Sequence, residues 1–145
     1  MLKLSKLTDY ATVILSLMAK QPMLQRTAVE IADSTGIALP TVSKILKLLT
    51  QARVVISTRG AKGGYSLARA PEQISVATII SALEGPIALT ECSLSVQSCV
   101  QSSGCGIRAN WHKINQTIHQ ALESVSLADL AQPEEILIPV SSLTR

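Results

Sequence analysis

The chain has no phenylalanine, one tryptophan and two tyrosines among 145 residues. This scarcity argues against modules that read single-stranded nucleic acid by stacking bases on aromatic platforms. Cysteine is scarce and odd in number: Cys92, Cys99 and Cys105 are the whole supply. An odd count does not fit a framework of paired disulfides. Nor does any apolar run approach the roughly 18–20 residues of a membrane span, so no membrane partner is expected. The stretch after Lys3 and Lys6 is amphipathic, is interrupted by Asp9 and lacks a convincing small-residue cleavage site, so it does not read as a secretory leader. The expectation is a cytoplasmic chain with reduced thiols. With 47% hydrophobic and 16% charged residues, it holds enough apolar material for one folded domain.

What charge there is falls unevenly. Residues 1–69 carry ten Lys and Arg against three acidic residues, a net +7, and residues 70–145 carry three against seven, a net −4. A basic N-terminal half points to a polyanionic partner, and duplex DNA is the common one.

Periodicity gives the elements. Thr8 reads as a cap for a first helix whose apolar stripe is Tyr10, Val13, Ile14, Leu17 and Met18, ending near Lys20. Thr27 opens a shorter helix with Ala28, Ile31 and Ala32 inward, closed by Gly36. A third runs from Pro40 to about Gln51, with Val42, Ile45, Leu46 and Leu49 inward and Thr41, Ser43, Lys44 and Lys47 outward. Two helices joined by Ser34-Thr35-Gly36-Ile37 read as a helix-turn-helix. Alternating Val54 to Thr58, the glycine-rich turn 59–64 and a return strand from Tyr65 to Ala68 follow as a hairpin. Together these predict a mainly α fold, a winged helix-turn-helix with a two-stranded β wing. Thr41, Ser43, Lys44 and Lys47 on the recognition helix and Arg59 and Lys62 on the wing are the candidate DNA contacts.

Ser75 caps a further helix, with Val76, Ile79, Ile80 and Leu83 inside. Residues 86–106 show no sustained period and hold all three cysteines. From Ile107 the apolar positions Ile107, Trp111, Ile114, Ile118, Ala121 and Val125 form a heptad seam, which reads as a long C-terminal dimerisation helix, with docking on the chain's own N-terminal domain as the alternative. The expected divisions are a DNA-binding domain over 1–85, a cysteine loop over 86–106, a dimerisation helix over 107–131 and a tail over 132–145.

The cysteine spacing matches neither structural zinc sites nor two-cluster ferredoxins. Spacing alone leaves open three corners of an iron–sulfur cluster, a thiol sensor, and no role. An enzyme or electron carrier using this loop is the alternative from another class. No Ser/His/acid constellation and no paired carboxylates support it, and Gly60-Ala61-Lys62-Gly63-Gly64 lacks the Gly-Lys-Ser/Thr of a phosphate-binding loop.

Lys6-Leu7-Thr8-Asp9-Tyr10, the helix-turn-helix, the wing Arg59-Gly60-Ala61-Lys62-Gly63-Gly64-Tyr65, and Leu83-Glu84-Gly85-Pro86 ahead of three clustered cysteines together resemble one bacterial family. It is the winged-helix iron–sulfur regulators that include IscR and NsrR. The run from Pro86 to Cys92 and Ala109-Asn110-Trp111 are most similar to the branch regulating the SUF cluster-assembly operon. The resemblance covers the chain up to about Leu130. It implies a homodimeric transcription factor, usually a repressor, whose DNA affinity follows its cluster, of the 2Fe-2S or 4Fe-4S type. By position, Cys92, Cys99 and Cys105 would be ligands. Arg108 stands where IscR-like members carry a histidine. Asp9, in Thr8-Asp9-Tyr10, occupies the place of the aspartate ligand that NsrR-like members supply from the partner subunit. Asp9 reads equally as a helix-dipole partner, and His112 and then His119 are the next candidates for a fourth ligand.

Overall fold

The computed structural model of the protein describes residues 3–95 and 104–132. Helix α1 (Lys6–Ala19) begins ahead of the expected cap, because Ser5 holds that position: its Oγ accepts from the Thr8 amide at 3.2 Å. The buried stripe turns with it. Thr8, Ala11, Ile14, Leu15 and Met18 face the core, while Val13 is 44% exposed and Tyr10 and Leu17 lie on the flank.

Helix α2 (Ala28–Thr35) starts on a reciprocal pair in which the Glu30 carboxylate accepts from the Thr27 amide and the Thr27 hydroxyl accepts from the Glu30 amide. It stops at Gly36, whose φ of 72° is left-handed and costs little only without a Cβ. Helix α3 (Leu39–Gln51) buries Val42, Ile45, Leu46 and Leu49, the four positions expected from periodicity. It closes with Arg53 N–H on the Thr50 carbonyl at 3.1 Å and Val54 N–H on the Leu49 carbonyl at 2.9 Å. This places Arg53 at φ 60°, a left-handed position that glycine usually fills.

Strands β1 (Val55–Thr58) and β2 (Gly64–Leu67) pair antiparallel, Val55 opposite Leu67 and Thr58 opposite Gly64. The wing is also tied to the segment before α2, since Arg26 and Tyr65 exchange backbone hydrogen bonds of 3.0 and 2.8 Å. The contact requires Gly64: a Cβ there would stand 2.8 Å from the Arg26 carbonyl oxygen.

A 3-10 turn (Pro71–Gln73) leads into α4 (Val76–Glu84), capped by Ser75, which buries Ala77, Ile79 and Ile80 and leaves Val76 and Leu83 half-buried. The segment expected to lack regular structure contains a short helix, α5 (Glu91–Leu94). The single helix expected over 107–131 is two, α6 (Arg108–Glu123) and α7 (Leu127–Ala131). Two backbone bonds interrupt it: Val76 N–H to the Val125 carbonyl at 2.8 Å and Leu127 N–H to the Ile74 carbonyl at 2.7 Å. Leu127 then enters the core formed by α1, α3, α4 and the wing, so α7 docks on its own chain. Along α6, Ile107, Trp111 and Ile114 remain 57%, 38% and 44% exposed.

The last residue of α4 joins distant parts of the chain. Glu84 Oε1 accepts from the Ser5 amide at 2.7 Å and from the buried Thr8 hydroxyl at 2.6 Å. The Thr8 hydroxyl first, and the Ser5 amide second, hold the Glu84 carboxyl below its usual range. A lowered carboxylate pKa contributes stability above the group's ordinary pKa, and that contribution fades as pH falls through the lowered value. Glu84→Ala is expected to cost about 1 kcal/mol at neutral pH. Thermal melts should show the loss shrinking between about pH 5 and pH 3; a loss independent of pH would refute the charged contact. Arg53→Gly should raise stability by roughly 0.5–1 kcal/mol by relieving the left-handed backbone, measured by urea unfolding.

Candidate nucleic-acid interface and cysteine pocket

The second helix of the helix-turn-helix presents Ser43, Lys44 and Lys47 to solvent, with Thr41 half-buried at its start. Arg59 and Lys62 stand exposed on the loop between β1 and β2, which is closed by Gly63 N–H on the Gly60 carbonyl at 2.9 Å. Among the described residues none of these four cations is paired with a carboxylate. Unpaired surface cations keep their charge available to a polyanion and can release its counterions. The helix and the wing are joined directly: α3 turns into β1 through Arg53, and residues of both strands pack on the same core as α3. Of the six candidate contacts, Thr41, Ser43, Lys44 and Lys47 lie on α3 and Arg59 and Lys62 on the loop between β1 and β2.

Cys92 sits on α5 and Cys105 just before α6. Both are half-buried free thiols, and Cys92 Sγ lies 3.0 Å from the Thr90 hydroxyl. The two line one open hollow with Ser93, Arg108, Ala109 and His112. Cys99 falls outside the described residues. Among those described, no group of three or more His, Cys, Asp or Glu side chains is placed to hold a metal ion. Two sulfur donors in one concave site, with a third on the segment between them, are nonetheless the donor type that iron–sulfur groups take. Asp9 lies elsewhere, exposed on the first turn of α1, its carboxylate without a hydrogen-bond partner among the described residues. His119 lines a different hollow, beside Glu123 and Ala52.

Two residues that periodicity did not single out fix the approach to this pocket. Asn115, buried on α6, accepts from the Leu89 amide at 2.9 Å and donates to the Ile87 carbonyl at 3.2 Å. It holds the segment leading into Cys92 against the helix. Glu84 fastens the start of the same lead, before Gly85 and Pro86, to the beginning of α1. For Asn115 the available signal was a polar residue beside Ile114, one turn beyond Trp111, on the helix side expected to be apolar. For Glu84 spacing offered none, since its partners lie 76 and 79 positions away; it stood out only within the Leu83-Glu84-Gly85-Pro86 run.

No helix among the described residues is long and apolar enough to cross a membrane. Comparison with known proteins is consistent along nearly the whole chain. Residues 4–133 match the family described as Rrf2, iron-dependent transcriptional regulator. The transcriptional regulator NsrR of Oceanobacillus iheyensis is 30% identical over 146 residues, covering 99% of each chain. The structure of CymR, the global cysteine regulator of B. subtilis, superposes with a TM-score of 0.69 at 29% identity, covering 93% of this chain and all of that one. T. potens IscR superposes with a TM-score of 0.64 at 32% identity, covering 89% and 85%. A winged helix-turn-helix carrying unpaired cations, matched over this length, places the chain in the Rrf2 family: it is a DNA-binding transcriptional regulator and not an enzyme.

Proposed function

We propose that the protein acts as a homodimeric repressor whose operator affinity is set by an iron–sulfur cluster at Cys92, Cys99 and Cys105, and that it controls genes of SUF-type cluster assembly. The observation that carries this reading is the meeting of Cys92 and Cys105 in one hollow at the foot of α6, joined by side-chain bonds to the helix that precedes the DNA-reading motif. A bound cluster of the 2Fe-2S or 4Fe-4S type would supply a centre sensitive to oxidants and to iron supply. The chain supplies the rest. Cys92 and Cys105 anchor the two ends of the cysteine loop, Asn115 fixes its approach, and Glu84 transmits its position to α1. Asp9 is absent from the pocket of its own chain, so as a fourth ligand it would come from the partner subunit. The solvent-exposed Ile107, Trp111 and Ile114 on α6 are the surface on which two copies would pair, setting two wings against two half-sites.

In this reading residues 1–85 bind DNA, 86–106 sense, and 107–131 both pair subunits and close the core. Thr41 and Ser43 reach base edges, Lys44 and Lys47 flank them, and Arg59 and Lys62 meet phosphates or enter the minor groove. A second reading, a repressor switched by bare thiols, is favoured by the placement of two free thiols in one hollow beside Arg108 and by the likeness to CymR.

Anaerobic purification decides between them. A coloured protein with iron and sulfide, whose retardation of a DNA fragment selected by the protein itself shifts by on the order of tenfold on cluster loss, supports the first. A colourless protein whose affinity responds to thiol oxidation supports the second. If neither iron removal nor alkylation of the thiols changes binding, both fall. Replacing Lys62 with Ala should weaken binding to all sequences alike and lower the slope of log affinity against log salt by about 0.9 for each phosphate no longer neutralised. Ser43→Ala should instead change sequence preference, by on the order of 1 kcal/mol at one base pair.

A further inference from the structure

One concave surface lies apart from the cysteine pocket and meets the nucleic-acid interface only at Thr41. It lies between the first turn of α1 and the turn of the helix-turn-helix, lined by Lys6, Leu7, Tyr10, Thr35, Gly36 and Thr41 among others, with a volume of about 590 Å³. No carboxylate lines it. Asp9, three residues along α1, forms no ion pair with Lys6. The Lys6 ammonium lies 5.5 Å from the centroid of the Tyr10 ring, and attraction between cation and ring face holds the charge at this hollow. The hydroxyls of Tyr10 and Thr41 have no hydrogen-bond partner among the described residues, so both are free to donate.

Location decides what such a seat would meet. Thr41 is in the first turn of the recognition helix, the end that reaches base edges when this motif docks. A helix is about 10–12 Å across with its side chains, and the major groove is about 12 Å wide. The groove walls therefore pass directly against whatever flanks the helix start, and those walls are sugar and phosphate. On this chain the flank is the hollow that holds Lys6. We infer that it is a seat for a backbone phosphate of duplex DNA, with the Lys6 ammonium as its charged contact and the Tyr10 hydroxyl as a donor. The inference rests on the DNA-binding reading and extends the interface from α3 and the wing to α1. The contact is independent of sequence and would fix the depth of α3 in the groove.

Because the contact is to phosphate, sheared genomic duplex DNA serves as the probe, with binding followed by fluorescence anisotropy across a salt series. Lys6→Ala should weaken binding several-fold at low salt and lower the slope of log affinity against log salt by about one for each protomer bound. Lys6→Arg should keep both, and Tyr10→Phe should weaken binding without changing the slope. Thermal melting of each variant separates these effects from misfolding: Lys6→Arg binding as wild type while Lys6→Ala, equally stable, does not would establish the seat. A Lys6→Ala protein with the wild-type slope overturns the inference and leaves the DNA-binding reading standing. Wild-type protein that bound no duplex would overturn both.

Discussion

The carboxylate of Glu84 ties the lead into the cysteine segment to the head of the first helix. It ends α4, begins the lead into the cysteines, and accepts from Ser5 and Thr8 at the head of α1. A carboxylate receiving an amide and a hydroxyl at once is a stronger clasp than a neutral pair, and one donor, Thr8, is fully buried. The charge itself stays near solvent, which avoids the desolvation penalty of a buried ion. The result joins residues far apart in sequence without a disulfide or an apolar plug. At the other end Asn115 performs the same service with two backbone bonds. The lead from Gly85 to Thr90 is thus fastened to α1 at one end and α6 at the other by side chains.

The N-terminal half was legible because local signals agreed there. Thr27 with Glu30, Gly36 at its left-handed stop, and the Val42, Ile45, Leu46 and Leu49 face of α3 follow from spacing and backbone chemistry within a few residues. The wing was legible for the same reason, its strands shifted by about one residue. The fold departs from local signals where distant contacts choose among local options. Ser5 and Thr8 are both capable caps, and the bond from Thr8 to Glu84 draws Thr8 into the core and leaves Ser5 to begin the helix. The heptad seam of Ile107 to Val125 promised one long helix, but Ile74 and Val76 offer backbone partners that break it at Ser124 to Ser126. The start of that seam consequently stays on the surface, while the helix beyond its end serves the chain's own core. The cysteine spacing was the least legible feature, since it matches no rigid ligand pattern and the residues between Cys92 and Cys105 fall largely outside those described.

Strain and glycine are placed where the DNA-facing unit needs shape. Gly64 lets the backbone around Arg26 lie against β2, so the wing is braced by the same segment that leads into α2. Arg53 accepts a left-handed conformation at the joint between α3 and β1, although glycine would sit there with less strain. The joint connects the recognition helix to the wing, and residues of both pack into the same core.

The magnitudes fit regulation better than assembly of the fold. Hydrogen bonds such as those of Glu84 and Asn115 contribute about 0.5–1.5 kcal/mol each net, somewhat more for the charged one. Coupling free energies between regulatory sites typically run about 1–3 kcal/mol, or roughly 5- to 150-fold in affinity. Two or three such bonds fall within that range, while Leu15, Ile45, Leu46 and Leu127 are fully buried in the core. A ligand can shift an equilibrium only by its differential affinity for the two states. Any change at the cysteine hollow that strains or relaxes the lead would therefore be felt at the head of α1 in proportion to these few bonds. The recognition helix packs directly against α1 and α4, the two helices that Glu84 joins, so in the proposed reading a change at the thiols would reach it through the packing of those helices.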